Sequence, residues 1–132
     1  MTLLLDTHAF LWAALEPSRL SAAARQSVTS PADEVLVSTV TFWEISLKFG
    51  IGKLDLEGVL PEGLPDSARQ MGFAVTPLSE YEAASFHRLP RELHRDPFGR
   101  MLAWQAVCHG WTLVSRDTSL RVYQQHGLLL LW

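Results

Sequence analysis

Four carboxylates stand where the chain changes character. Asp6 follows an apolar run in Leu-Leu-Leu-Asp-Thr-His, and Glu44 lies in Val-Ser-Thr-Val-Thr-Phe-Trp-Glu-Ile-Ser. Asp96 opens Asp-Pro-Phe, and Asp117 closes Leu-Val-Ser-Arg-Asp. Carboxylates gathered in one small pocket repel one another and raise each other's pKa unless a cation neutralises them. An all-oxygen set suits Mg²⁺ or Mn²⁺ rather than zinc. A hard divalent ion in such a place activates water and offsets the charge on a phosphoryl group in transfer. The chemistry indicated is metal-dependent phosphodiester hydrolysis, on condition that the fold brings the acids together. Each acid also has an ordinary role open to it. Thr41-x-x-Glu44 has capping-box spacing, and Glu44 with Lys48 makes an i,i+4 pair. Asp96 before Pro97 and Asp117 before Thr118 are natural N-caps. Asp6 can simply end a strand, although its apolar surroundings of Leu5, Ala9, Phe10, Leu11 and Trp12 favour a functional carboxylate.

The condition is met by one class of fold. Five short, wholly apolar runs recur, at Leu3 to Leu5, Val35 to Val37, Phe73 to Val75, Thr112 to Val114 and Leu128 to Leu131. They do not alternate polar with apolar residues, so they read as strands covered on both faces, as in a parallel sheet between helices. The segments between them read as helices. Ser79 and Glu82 have capping-box spacing ahead of a helix over 80–88. Asp96 as N-cap, Pro97 at the first helical position and Gly110 as the stop define a helix over 97–109. Residues 41–49 read as a helix between Thr41 and Gly50, and 118–126 as one ending at Gly127. The expectation is a three-layer α/β/α domain with a mainly parallel sheet, spanning 1–132 as a single unit. Ligands in such folds bind outside the carboxyl ends of the strands. Asp6, Glu44 and Asp117 then emerge at that edge, whereas spacing alone does not place Asp96 there.

Composition limits the alternatives. The 132 residues, 48% hydrophobic, are enough for a core without disulfides or a structural metal. A lone cysteine, Cys108, closes no intrachain bridge and fits a reducing, cytoplasmic setting. The N-terminus lacks a basic region before its short apolar run, so no signal peptide is expected, and no apolar run approaches a membrane span. Eleven Lys and Arg against fourteen Asp and Glu, a net charge of −3, exclude binding of nucleic acid by bulk positive charge. The charge is nevertheless segregated: six arginines against three acids lie between 88 and 121. Arg91, Arg95, Arg100 and Arg116 from this stretch are candidates for a phosphate-tracking rim, with a solvated helix face the equal alternative.

Other reactive types have plainer readings. Cys108 and His109 sit late in a helix with no matched partner, and His8 reads as a packing or hydrogen-bonding residue. Trp12, Trp43, Trp104, Trp111 and Trp132 read as core more readily than as base-stacking platforms. Gly50-Ile-Gly52-Lys53 is too short for a phosphate loop and reads as a helix end.

Taken together and in order, Leu-Leu-Leu-Asp6-Thr-His, Ser38-Thr-Val-Thr-Phe-Trp-Glu44-Ile-Ser-Leu-Lys48, Gly52-Lys53-Leu, His94-Arg-Asp96-Pro-Phe-Gly-Arg-Met-Leu-Ala and Leu113-Val-Ser-Arg-Asp117 resemble the PIN-domain ribonuclease toxins of the VapC type. The resemblance spans the chain. It implies a PIN-like fold, acids holding Mg²⁺ or Mn²⁺, endonucleolytic cleavage of RNA, a VapB-type antitoxin that blocks the site, and a homodimer. Asp6, Glu44 and Asp117 match the first, second and fourth acids of that family. The third departs from it: the family pattern is Asp-Pro-Phe-Asp-Arg, and its second Asp, the usual metal-site acid, is Gly99 here. Asp96 matches the first Asp of the pattern. Glycine in the first turn of a helix also costs up to about 1 kcal/mol, where an acid would suit the helix dipole. The expectation is an attenuated nuclease, the alternative a catalytically inactive PIN module that still binds its antitoxin. Two other α/β families fit less well. Haloacid-dehalogenase phosphatases need a second Asp at the position of His8, and receiver domains need paired acids after the first strand.

Overall fold

In a computed structural model that describes residues 1–91 and 94–132, five strands form one sheet in the order β3-β2-β1-β4-β5, every neighbouring pair parallel. The strands are β1 (Thr2–Leu5), β2 (Glu34–Ser38), β3 (Ala74–Thr76), β4 (Thr112–Val114) and β5 (Leu129–Leu131). The helices are α1 (Thr7–Leu15), α2 (Ala22–Thr29), α3 (Thr39–Gly50), α4 (Leu64–Gln70), α5 (Glu80–Ser85) and α6 (Pro97–His109). Residues Thr118–His126 make a 3₁₀ helix in place of the ordinary helix expected there.

The apolar runs are explained by the pleat. In β1, Leu3 and Leu5 turn into one hydrophobic cluster and Leu4 into the other, all three fully buried. Val35 and Val37 against Leu36, and Val114 against Leu113, divide in the same way. Side chains alternate between faces with a period of two, so a strand with helices on both sides has no position left for a polar residue. The first cluster gathers Phe10 and Ala13 of α1, Ala24 of α2 and Leu64 and Ala68 of α4. The second gathers Leu102, Ala103 and Ala106 of α6 with Leu120 and Tyr123. Helix α3 gives Ile45 to the first and Val40 to the second.

The strand ends are short and tightly capped. Strand β1 passes into α1 through Asp6 alone, and β2 runs into α3 with no intervening loop. The N-cap of α3 is Ser38, whose hydroxyl accepts from the Val40 N–H at 3.0 Å. The expected start at Thr41 is therefore two residues late, Thr41 is buried inside the helix, and Glu44 lies in the second turn. Helix α6 is as expected, with Asp96 as N-cap and Gly110 left-handed at φ 69° after its end. Among the described residues no helix is long and apolar enough to cross a membrane.

Candidate active site

Because β1 and β4 pair in parallel, Asp6 and Asp117 leave the sheet at the same edge. The Asp6 N–H continues the ladder by donating to the Val114 carbonyl at 3.1 Å, which fixes where its side chain begins. Asp6 Oδ1 accepts from the Ala9 N–H at 2.8 Å, capping α1. Burial pushes the Asp6 carboxyl above the ordinary carboxylate range; the Ser115 side chain, the Ala9 N–H and His8 pull it down, while the charge of Glu44 pushes it further up. A cleft of about 400 Å³ opens over this carboxyl, lined by Asp6, His8, Trp12, Arg116, Asp117 and Thr118.

Asp117 caps the 3₁₀ helix. Its Oδ1 accepts from the Ser119 N–H at 3.0 Å and the Ser119 hydroxyl at 2.6 Å, and its Oδ2 lies 3.0 Å from His94 Nε2. Burial raises its pKa, but the hydrogen bonds from Ser119 and His94 outweigh that, so the carboxyl sits below its ordinary value. Asp6 and Asp117 thus share a cleft with opposite shifts: at Asp6 burial outweighs the donors present, and at Asp117 the donors outweigh burial.

Glu44 is nearly inaccessible, 3% exposed, and its two oxygens are engaged. The Thr7 hydroxyl donates to Oε1 at 2.5 Å, and Lys48 Nζ pairs with Oε2. Its charge is felt at Asp6, but it is not among the residues lining the cleft. Asp96 remains an exposed cap, its Oδ1 accepting from the Phe98 N–H at 3.0 Å.

The space at Gly99 is occupied by a neighbour. A Cβ built on Gly99 would stand 3.1 Å from His94 Cε1, 3.2 Å from Asp96 Oδ2 and 3.6 Å from His94 Nε2. His94 is buried, 6% exposed, and its Nδ1 has no hydrogen-bond partner among the described residues. Nothing in the sequence gives His94 a role. Its partner Asp117 is 23 positions away, and no spacing rule connects them. Ser119, in contrast, was within reach of a capping argument, two residues after an Asp N-cap.

The four candidate arginines differ in their surroundings. Arg116 is exposed in the cleft, its guanidinium 5.9 Å from the centre of the Trp12 ring. Arg100 turns inward: it donates to the Leu89 carbonyl at 3.0 Å and to the Tyr123 hydroxyl at 3.3 Å, and lies over Phe86. Its Nε and one terminal nitrogen are thereby engaged within the fold. Arg91 and Arg95 are exposed. Among the tryptophans, Trp43 is 61% exposed, contrary to the core role expected of it.

Among the described residues no three His, Cys, Asp or Glu side chains stand close enough to hold a metal ion by themselves. Mg²⁺ and Mn²⁺ sites do not require that, because such ions keep several waters and bind through one or two carboxylates. Asp6, a carboxyl whose ionised form burial disfavours, and Asp117 line the same cleft, a pair of oxygen donors of the kind that suits a hydrated divalent cation.

Comparison with known proteins agrees with this architecture. The chain is 32% identical to Ribonuclease VapC22 of Mycobacterium tuberculosis over 136 aligned positions, covering 99% of this chain and 98% of the relative. Among solved structures, VapBC2 from Rickettsia felis bound to a promoter DNA fragment superposes with a TM-score of 0.69 at 14% identity, covering 99% of this chain and 98% of the other. FitAcB from Neisseria gonorrhoeae superposes at 0.61 with 22% identity, covering 98% and 96%. At those identities the likeness concerns the fold. The PIN domain family matches residues 3–125. With the parallel sheet, the acids at its carboxyl edge and a full-length relative of that kind, the chain belongs to the PIN-domain family.

Proposed function

We propose that this protein is a Mg²⁺- or Mn²⁺-dependent endoribonuclease of the VapC type, acting in the cytoplasm as the toxin of a toxin–antitoxin pair. The observation that carries the reading is the shared cleft of Asp6 and Asp117, open to solvent and flanked by Arg116. The full-length relative named as a ribonuclease gives the substrate class, and the solved neighbours, complexes of VapBC and FitAB type, support a VapB-type antitoxin as partner. A homodimer is part of the same proposal.

Asp6 and Asp117 would hold the ion, which when bound lowers the pKa of a water and offsets phosphoryl charge. The chain's own groups do the rest. Ser119 and His94 keep Asp117 ionised and aimed. Glu44, fixed by Thr7 and Lys48, acts behind the cleft: it anchors the start of α1 to α3 and adds negative potential at Asp6. Arg116, with no carboxylate partner among the described residues, is free to take a phosphate beside the two acids. Asp96 serves as the cap that starts α6.

Gly99 supports attenuation, and with it the second reading, a PIN module that binds its antitoxin without cutting RNA. The two are separated by comparing the protein with its Gly99→Asp form for RNA cleavage and Mg²⁺ affinity. An aspartate at 99 must displace His94 by a few tenths of an ångström, so the same pair is also measured with His94→Ala. Equal cleavage with and without the restored acid removes attenuation. A crystal soaked in Mn²⁺ with no density between Asp6 and Asp117 favours the module.

A further inference from the structure

The cleft over Asp6 and Asp117 adjoins two recesses of opposite charge. One, of about 190 Å³, shares His8 and Trp12 with it and brings Glu16, Asp55 and Glu57 against Arg19. The other, of about 310 Å³, shares Arg116, Asp117 and Thr118 with it and adds Arg121, with no further carboxylate among the described residues. A phosphate is repelled by the first and attracted by the second.

The second recess owes its lining to the 3₁₀ helix Thr118–His126. With three residues per turn, side chains at i and i+3 eclipse about 6 Å apart along the axis. Thr118, Arg121 and Gln124 therefore stand in one row, and all three line the recess, while Leu120 and Tyr123 form a second row buried in the core. An α-helix over the same residues would rotate each successive member of the row by about 60° and break it. Arg121 is exposed and has no hydrogen bond or ion pair among the described residues, so its guanidinium is uncommitted.

We propose that this recess binds the phosphate next to the scissile linkage, with Arg121 as its cationic partner and Thr118 and Gln124 as neutral donors in the same row. The RNA strand then leaves the cleft over the 3₁₀ helix and not over the acidic recess. This rests on the reading of the cleft as a ribonuclease site. A planar guanidinium matches phosphate oxygens in pairs, and such contacts set register without reading sequence. A carboxylate-rich peptide would also suit two arginines, but continuity with the cleft through Arg116, Asp117 and Thr118 favours a strand of nucleic acid.

Fluorescence anisotropy of a labelled single-stranded RNA, titrated against the full chain in chelator so that the strand stays whole, tests this. Arg121→Ala and Arg121→Gln are each expected to weaken binding and to reduce the salt slope of log affinity by about 0.7, one phosphate contact. Arg121→Lys is expected to keep the slope, and Arg19→Ala, in the acidic recess, to leave it unchanged. When a single uncharged methylphosphonate linkage is moved along the strand, one position is expected to weaken binding to the wild type and not to Arg121→Ala, the coupling of a direct contact. RNA binding whose slope neither Arg121→Ala nor Arg121→Gln changes overturns the proposal and leaves the ribonuclease reading standing. So does a slope lost at Arg19 instead, which sends the strand over the other recess. Binding of a glutamate-rich peptide that needs Arg121 while RNA binding does not gives the recess to a protein partner and also overturns it. A wild type that binds no RNA overturns the ribonuclease reading and this proposal with it.

Discussion

The Thr7 hydroxyl donates to Glu44 Oε1 across 2.5 Å, tying the first residue of α1 to the second turn of α3 inside the protein. Strands β1 and β2 run parallel and deliver α1 and α3 to the same edge, where this bond joins them. A buried carboxylate stripped of a donor bears its desolvation cost, about 1–3 kcal/mol. Thr7→Val is therefore expected to lower the unfolding free energy by about that amount in urea titrations, and Thr7→Ser to retain most of it. Equal stability of Thr7→Val and wild type would show that the bond carries no weight.

Glu44 also acts on Asp6 through space, raising its pKa. Glu44→Gln removes that charge and is expected to lower the Asp6 pKa, read from the carboxyl carbon by NMR titration. Lys48 is more than one-third exposed and can turn to solvent when its partner is neutral, so no compensating charge is left at the site. An unchanged or higher Asp6 pKa contradicts the coupling.

The opposed shifts give stability a predictable pH dependence. Glu82 is held below its ordinary value: burial raises it, but Ser79, Gln105 and His109 together lower it more. A carboxyl with a depressed folded pKa contributes stability that is full above its unfolded pKa and disappears as pH falls through the folded one. Glu82→Gln is thus expected to destabilise at pH 7, with the difference from wild type closing on acidification. Asp6 has the opposite sign. Its folded pKa is raised, so its ionised form subtracts stability at neutral pH and the penalty vanishes once pH falls below the unfolded value, about 3.9. Asp6→Asn, which still accepts from the Ala9 N–H, is expected to melt above wild type at pH 7 and level with it in acid. A lower melting temperature at pH 7 contradicts this.

Two of the candidate arginines, Arg100 and Arg116, should behave as different kinds of residue. Arg116→Ala is expected to weaken single-stranded RNA binding and reduce the salt slope of log affinity by about 0.7, the loss of one phosphate contact, with little change in melting temperature. Arg100→Ala leaves Leu89 and Tyr123 without their donor and is expected to lower the melting temperature while leaving the salt slope unchanged. The reverse pattern would relocate the RNA-facing surface.

The sheet was legible because its physics is local. A strand buried on both faces has to be apolar at each position, and Leu3 to Leu5 shows that without any partner in view. Helix α6 was legible for the same reason, through Asp96, Pro97 and Gly110. Parallel order then follows from alternation of strand and helix, and with it the shared edge of Asp6 and Asp117. What sequence did not show were contacts between distant segments. The start of α3 moved because Ser38 caps it directly from β2. Arg100 turned inward because Leu89 and Tyr123 come to it from 11 and 23 positions away. His94 went unread because its significance lies in Gly99 and Asp117, which only the fold places around it.

The proposed function depends above all on Asp6 and Asp117 holding a catalytic ion together. Its most direct test is cleavage of a single-stranded RNA by the wild type, Asp6→Asn and Asp117→Asn, each in Mn²⁺ and in excess chelator, with the product ends mapped. The wild type is expected to cleave internally in Mn²⁺ alone, and both variants to lose at least about 100-fold, the upper range for disturbing a metal's surroundings. Cleavage that survives chelation, or that proceeds undiminished in either variant, contradicts it.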